Sequence, residues 1–189
     1  MVILVGGISC TGKTLLAQKL LEKYQIPYLS IDHLKMGLYR GDSNCSFSPE
    51  DSNEVIGEKL WPIIKGIIMT NIENKQSIII EGCYLLPNFI KDFRKEYLDH
   101  IISVFIVFSK NYIEDNFASS ILGYRNAIEN RGFKEDRAIT QFIIEHDELR
   151  KKCIENAVKY FEIDNDYMEE IQRVYKFIED SINKMNQNV

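Results

Sequence analysis

Apolar residues follow two rhythms along this chain. Short unbroken runs, Val2-Ile3-Leu4-Val5, Ile78-Ile79-Ile80 and residues 101–108, have the length and β-branched content of strands buried on both faces. Between the runs, apolar residues recur at steps of three and four, the spacing of helices that bury one face. The pattern predicts a first strand over 2–6, a helix over 13–24, and a short second strand over 28–31 that ends at Asp32-His33. A helical turn over 34–39 and a polar loop over 40–48 follow. Ser48-Pro49-Glu50-Asp51 reads as a helix start: a capping serine, proline in the first turn, then carboxylates near the positive end of the dipole. That helix places Ile56, Leu60, Ile63, Ile64, Ile67 and Ile68 on one face, and Pro62 predicts a kink or break near Trp61.

The second half repeats the alternation. A third strand is predicted over 77–82, a helical piece from Leu86-Pro87, a fourth strand over 101–108 and a helix over 112–121. Residues 123–132 form a glycine-bracketed segment carrying Arg125 and Arg131, with Arg137 close behind. A long helix then spaces Ile139, Phe142, Ile143, His146, Leu149, Cys153 and Ala157 helically. An edge strand over 160–164 precedes a last helix with Met168, Ile171, Val174, Tyr175, Ile178, Ile182 and Met185 on one face; the tail after Lys184 is expected to fray. Strands alternating with helices imply an α/β fold built on a parallel sheet. In such sheets ligands bind outside the carboxyl ends of the strands. This rule selects the residues after each run: Gly7 to Thr14, Asp32-His33, Glu81-Gly82, Ser109-Lys110 and Asn165-Asp166.

The first of those places carries the strongest signal. Gly7-Ile8-Ser9-Cys10-Thr11-Gly12-Lys13-Thr14 fits G-x-x-x-x-G-K-[ST] at every fixed position, with a strand pattern before it and a helical pattern after it. Glycines let the backbone turn its N–H groups inward, and those groups with the helix N-terminus form an anion site suited to a polyphosphate. The expected nucleotide cradle is Gly7, Ser9, Cys10, Thr11, Gly12, Lys13, Thr14 and Leu15. Lys13 would reach the β- and γ-phosphates, and the Thr14 hydroxyl would hold Mg²⁺.

Composition narrows the classes. The chain has 189 residues, 45% hydrophobic and 27% charged, which suits one globular domain over 1–189. A net charge of −5 with no basic block speaks against a dedicated nucleic-acid binder. No apolar run has the length of a membrane span. The N-terminal residues read as a strand rather than a secretory leader, and Cys10, Cys45, Cys83 and Cys153 are scattered without metal-type pairing. The expectation is reduced thiols in a cytoplasmic protein.

Phosphoryl transfer asks for positioning, a metal, cations for the γ-phosphoryl oxygens, and a group that orients or deprotonates the acceptor. Asp32 suits the last role, with capping of the helix at 34–39 as its structural alternative. Glu81, ending an isoleucine run, suits the metal or its water shell and the acceptor. Gly82 would let a ligand approach the backbone. Arg125, Arg131 and Arg137 suit phosphoryl oxygens on a closing flap, or else are surface arginines. Lys35 and Arg40 would bind an anionic acceptor or simply be solvated. His33, His100 and His146 carry no assigned role.

Together the phosphate loop, Ser30-Ile31-Asp32-His33-Leu34-Lys35-Met36, Ile80-Glu81-Gly82 and the arginine-bearing segment resemble the small P-loop kinases. That branch includes nucleoside-monophosphate, shikimate- and gluconate-type kinases, and the likeness is greatest to the 2-phosphoglycerate kinase and zeta-toxin-like group. The resemblance implies a three-layer P-loop NTPase fold, with a five-stranded parallel sheet in order 2-3-1-4-5 and helices on both faces. It implies ATP with Mg²⁺, an acceptor region over about 33–75, and a small lid over about 122–136. It places the catalytic base on Asp32 and the nucleobase near Asn165-Asp166-Tyr167; Arg125 and Arg131, within that lid span, are the arginines expected from their chemistry to assist transfer. The chain departs from adenylate-type enzymes, which grip an acceptor phosphate with several arginines, in offering only Arg40 between Asp32 and Phe93. The leading expectation is therefore an ATP-dependent kinase acting on a small-molecule hydroxyl. A nucleoside-monophosphate kinase and a nucleotide-binding regulatory NTPase are the alternatives. The acceptor and the oligomeric state are not legible in the sequence.

Overall fold

The computed structural model describes residues 1–124, 128 and 137–187. Five strands, β1 (Val2–Gly7), β2 (Tyr28–Ser30), β3 (Ile78–Gly82), β4 (Ile101–Phe108) and β5 (Tyr160–Ile163), pair in the order β2-β3-β1-β4-β5. Every pairing is parallel. This is the predicted sheet and the predicted order. The central strand is β1, and all six of its residues are buried. Its side chains alternate between the two faces, as the strand period requires. Ile3 and Val5 join one apolar layer with Leu16, Leu20, Val104, Ile106, Phe142, Val174 and Ile178. Val2 and Leu4 join the other with Ile31, Ile56, Leu60, Ile64, Ile80 and Phe105. Two covered faces explain why the strands read as continuous apolar runs.

The helices are α1 (Lys13–Tyr24), α2 (Ile31–Gly41), α3 (Asn53–Glu73), α4 (Lys95–Leu98), α5 (Lys110–Asn116), α6 (Ile139–Glu155) and α7 (Tyr167–Gln187). A 3₁₀ segment spans Pro87–Asp92, where the sequence predicts a helical piece. No helix among the described residues is long and apolar enough to cross a membrane.

Several boundaries differ from the sequence pattern, each for a local reason. β2 stops at Ser30 and α2 begins at once with Ile31, so Asp32 lies in a first helical turn rather than at a strand end. Asp32 is not the cap of that helix; Ser30 holds the cap position, without a side-chain bond. α3 starts later than predicted. The Asp51 carboxylate accepts from the Ser48 N–H at 2.8 Å and closes a separate turn there. Ser52 then caps the helix, its Oγ accepting from the Val55 N–H at 3.3 Å. α3 also runs unbroken through Pro62, which is exposed, as is Glu58, whose carbonyl the proline leaves without its helical partner. Ile63 on the same side is exposed instead of joining the buried stripe. α5 ends at Asn116, and Phe117–Ile121 continue as a π-helical turn, with the Leu122 N–H bonded to the Phe117 carbonyl at 2.9 Å. Ala157 lies past the end of α6 at φ 54°. Met168 is exposed at the start of α7, and α7 holds to Gln187 where fraying was expected.

Candidate active site

The loop between β1 and α1 is held by its own side chains. The Thr11 hydroxyl donates to the Ile8 carbonyl at 2.9 Å, and the Lys13 ammonium donates to the same carbonyl at 2.8 Å. Gly12 caps α1 at φ 81°, a left-handed conformation that favours glycine. A side chain there would also strike the Tyr167 hydroxyl. Tyr167 in turn donates to the Thr11 carbonyl at 3.2 Å, so the first residue of α7 braces the loop. α1 has no side-chain cap and no acidic residue in its first turn. Its leading N–H groups, with Lys13 beside them, thus form a cationic concavity suited to an anion.

Strand order divides the surroundings of this loop. On the β4–β5 side a cavity of about 490 Å³ reaches from Gly12, Lys13 and Thr14 to Phe108, Tyr112 and Asp166. Cys10, Leu15, Asn165 and Tyr167 also line it. Asp166 spends Oδ1 on the Glu169 N–H, at 2.7 Å.

On the β3–β2 side stand Glu81, Tyr84, Asp32 and Lys35. Glu81 is 1% exposed. It pairs across the sheet with Ser30 and accepts from the Thr14 hydroxyl at 3.3 Å. Burial pushes its carboxyl up, with the Lys13 charge working against that rise. Two oxygens of hard character therefore meet at the mouth of the loop. Among the described residues no group of three or more His, Cys, Asp or Glu gathers as a metal cage. A hydroxyl, one carboxylate and waters fit Mg²⁺, which keeps much of its hydration. All four cysteines are free.

Asp32 Oδ1 accepts from Lys35 Nζ at 3.3 Å and from the Tyr84 hydroxyl at 3.4 Å. Lys35 also donates to Tyr84 at 2.6 Å. Gly82 makes this proximity possible. A Cβ on it would lie 2.9 Å from the Ile31 Cβ, so the glycine admits the start of α2. Arg40 stands apart from the group: it is exposed in the last turn of α2, roughly 12 Å along the axis from Asp32 at about 1.5 Å per residue.

Arg125 and Arg131 lie outside the described residues, as does most of the lid expected over 122–136. Arg137 is described, and it docks on the loop. Its guanidinium bonds the Ser9 hydroxyl, pairs with Glu145 at 2.7 Å and covers the Phe142 ring at 4.3 Å. The sequence reading put transfer on Arg125 and Arg131; the helical position of Glu145 and Phe142 behind Arg137 was the signal that could have singled out Arg137 as the arginine that docks on the loop. Tyr84 carried no sequence signal, because its role depends on how β3 exits toward α2.

No protein-family model and no curated protein matches this chain. Solved structures do. A gluconokinase from Sinorhizobium meliloti 1021 shares 13% identity over 99% of this chain and 97% of its own, with a TM-score of 0.58. A shikimate kinase from Aquifex aeolicus shares 14% over 96% and 98%, at 0.54. A sugar kinase from Janibacter sp. HTCC2649 shares 15% over 94% and 94%, at 0.51. The fold is that of small P-loop kinases.

Proposed function

We propose that this protein is an ATP-dependent kinase that transfers the γ-phosphoryl group to a hydroxyl of a small molecule. One observation carries the reading: the loop between β1 and α1 separates an apolar-walled cavity on the β4–β5 side from an open carboxylate on the β3–β2 side. The cavity suits the nucleoside of ATP, against Phe108, Tyr112 and Asp166. Lys13 and the α1 N-terminus would bind the phosphates, and Lys13 would leave the Ile8 carbonyl to do so. Thr14 and Glu81 would hold Mg²⁺, which when bound screens the phosphate charge. Arg137, already docked on Ser9 of the loop, would bring its guanidinium to the phosphoryl oxygens. Asp32 would accept the proton of the attacking hydroxyl. A nucleoside-monophosphate acceptor is disfavoured, because Arg40 is remote from Asp32 and the acceptor side carries no other arginine in α2 or β3.

The test is ADP release from Mg·ATP across acceptor classes, with Lys13→Ala as the blank. Acceptor-stimulated turnover should fall about 100-fold or more in Lys13→Ala. Asp32→Asn should lose a comparable factor in kcat while ATP still binds. Full turnover in Asp32→Asn removes Asp32 as the base. ATP binding with no stimulation by any acceptor favours a regulatory NTPase.

A further inference from the structure

Lys35 is a cation only 8% exposed on the surface of α2, three residues after Asp32. A buried ammonium persists only where its charge and its N–H groups are met. Here the charge is met by Asp32 at 3.3 Å and one N–H by the Tyr84 hydroxyl at 2.6 Å, with the ammonium 4.9 Å from the Tyr84 ring centroid. Both Lys35 and Tyr84 address Oδ1 of Asp32. No described residue bonds Oδ2, and the Asp32 side chain is 37% exposed.

We infer that Lys35 and Tyr84 are positioning residues that clamp Asp32 through Oδ1, and that the acceptor they serve is an uncharged polyol bearing a 1,2-diol. This rests on the kinase reading above. Lys35 and Asp32 form a neutral pair, and the next charges inward, Lys13 and Glu81, again oppose one another. An acceptor phosphate or carboxylate arriving at Lys35 would compete with Asp32 for an ammonium already matched, with Glu81 nearby. A hydroxyl has no such conflict. It donates to Oδ2, the open oxygen, and its vicinal oxygen accepts the third N–H of Lys35, which no described residue uses. One proton donor and one acceptor on adjacent carbons match the two open valences.

Two measurements test this. The first is ADP release with glycerol, ribitol and methyl glucoside against gluconate, shikimate, 3-phosphoglycerate and AMP, for the wild type, Lys35→Met and Tyr84→Phe. Neutral diols should be the better acceptors. Lys35→Met should lower kcat about 10- to 100-fold, with the KM for ATP unchanged. An anionic acceptor preferred by the wild type, with its KM raised selectively in Lys35→Met, overturns the inference and makes Lys35 an anion anchor. The second needs no acceptor: ¹⁵N spectra of the lysine ammonium groups at neutral pH. Lys35 should give a signal protected from water exchange that shifts in Tyr84→Phe and Asp32→Asn. Absence of a protected Lys35 signal overturns the clamp whether or not the kinase reading stands. A protected signal with no turnover of any acceptor removes the kinase reading and the polyol with it, and leaves the clamp.

Discussion

His146 illustrates how one buried side chain sets a measurable property. Its Nδ1 accepts the Phe108 N–H at 2.8 Å, so the neutral ring carries its proton on Nε2, which is buried without a partner among the described residues. The ring stacks on Phe108 at 5.1 Å and on Phe142 at 6.2 Å. Burial, with smaller contributions from the Lys13 and Arg137 charges, lowers its pKa to about 3. An unfolded chain protonates this histidine below pH of about 6.5, whereas the folded chain resists until about 3. The unfolded state therefore holds the extra proton across that window, and stability falls as pH falls through it. Well below pH 6.5 the slope from this residue approaches about 1.4 kcal/mol per pH unit. His146→Phe strands the Phe108 N–H and should cost about 1–3 kcal/mol at pH 8. It should also remove that slope, so urea midpoints of the two proteins converge between pH 6.5 and 4.5. Parallel curves would mean that His146 already takes its proton in the folded state.

At the scale of elements, the start of α3 separates two serines that look alike in sequence. Ser48 precedes a proline and two carboxylates, yet its N–H is turned onto Asp51, and its hydroxyl contacts Glu50. Ser52 accepts the Val55 N–H and caps the helix. Ser52→Ala should therefore cost about 1 kcal/mol in thermal or urea unfolding. Ser48→Ala should stay within about 0.5 kcal/mol; equal losses would return the helix start to Ser48. The same contrast explains what could be read beforehand. The strands and the phosphate loop were legible because burial on two faces and a fixed-spacing motif leave marks in the sequence itself; the strand order came only with the resemblance to small P-loop kinases. The α2 start, the Asp32–Lys35–Tyr84 contact and the docking of Arg137 were not. Each arises from where two distant segments meet: Gly82 against Ile31, Tyr84 against Lys35, Arg137 against Ser9.

Over the whole molecule, the sheet order sends the ends of β4 and β5 to one side of the phosphate loop and the ends of β3 and β2 to the other. The loop at the centre presents N–H groups and a cation to a ligand. α1 begins without a side-chain cap or first-turn acid, and the Lys13 ammonium rests on a neutral carbonyl. A bound polyphosphate would satisfy both at once, so nucleotide binding should be read as stability of the entire fold. At a ligand concentration about 100 times Kd, Mg·ATP should add about 2.7 kcal/mol. For a chain of 189 residues that corresponds to a Tm higher by roughly 5–11 °C. Adenosine, which can fill the cavity but brings no charge, should give a much smaller shift at the same concentration. Lys13→Ala should lose most of the shift with Mg·ATP and leave the response to adenosine in place. Equal shifts for adenosine and Mg·ATP in differential scanning calorimetry would place the binding free energy in the cavity wall and remove the loop as the anion site.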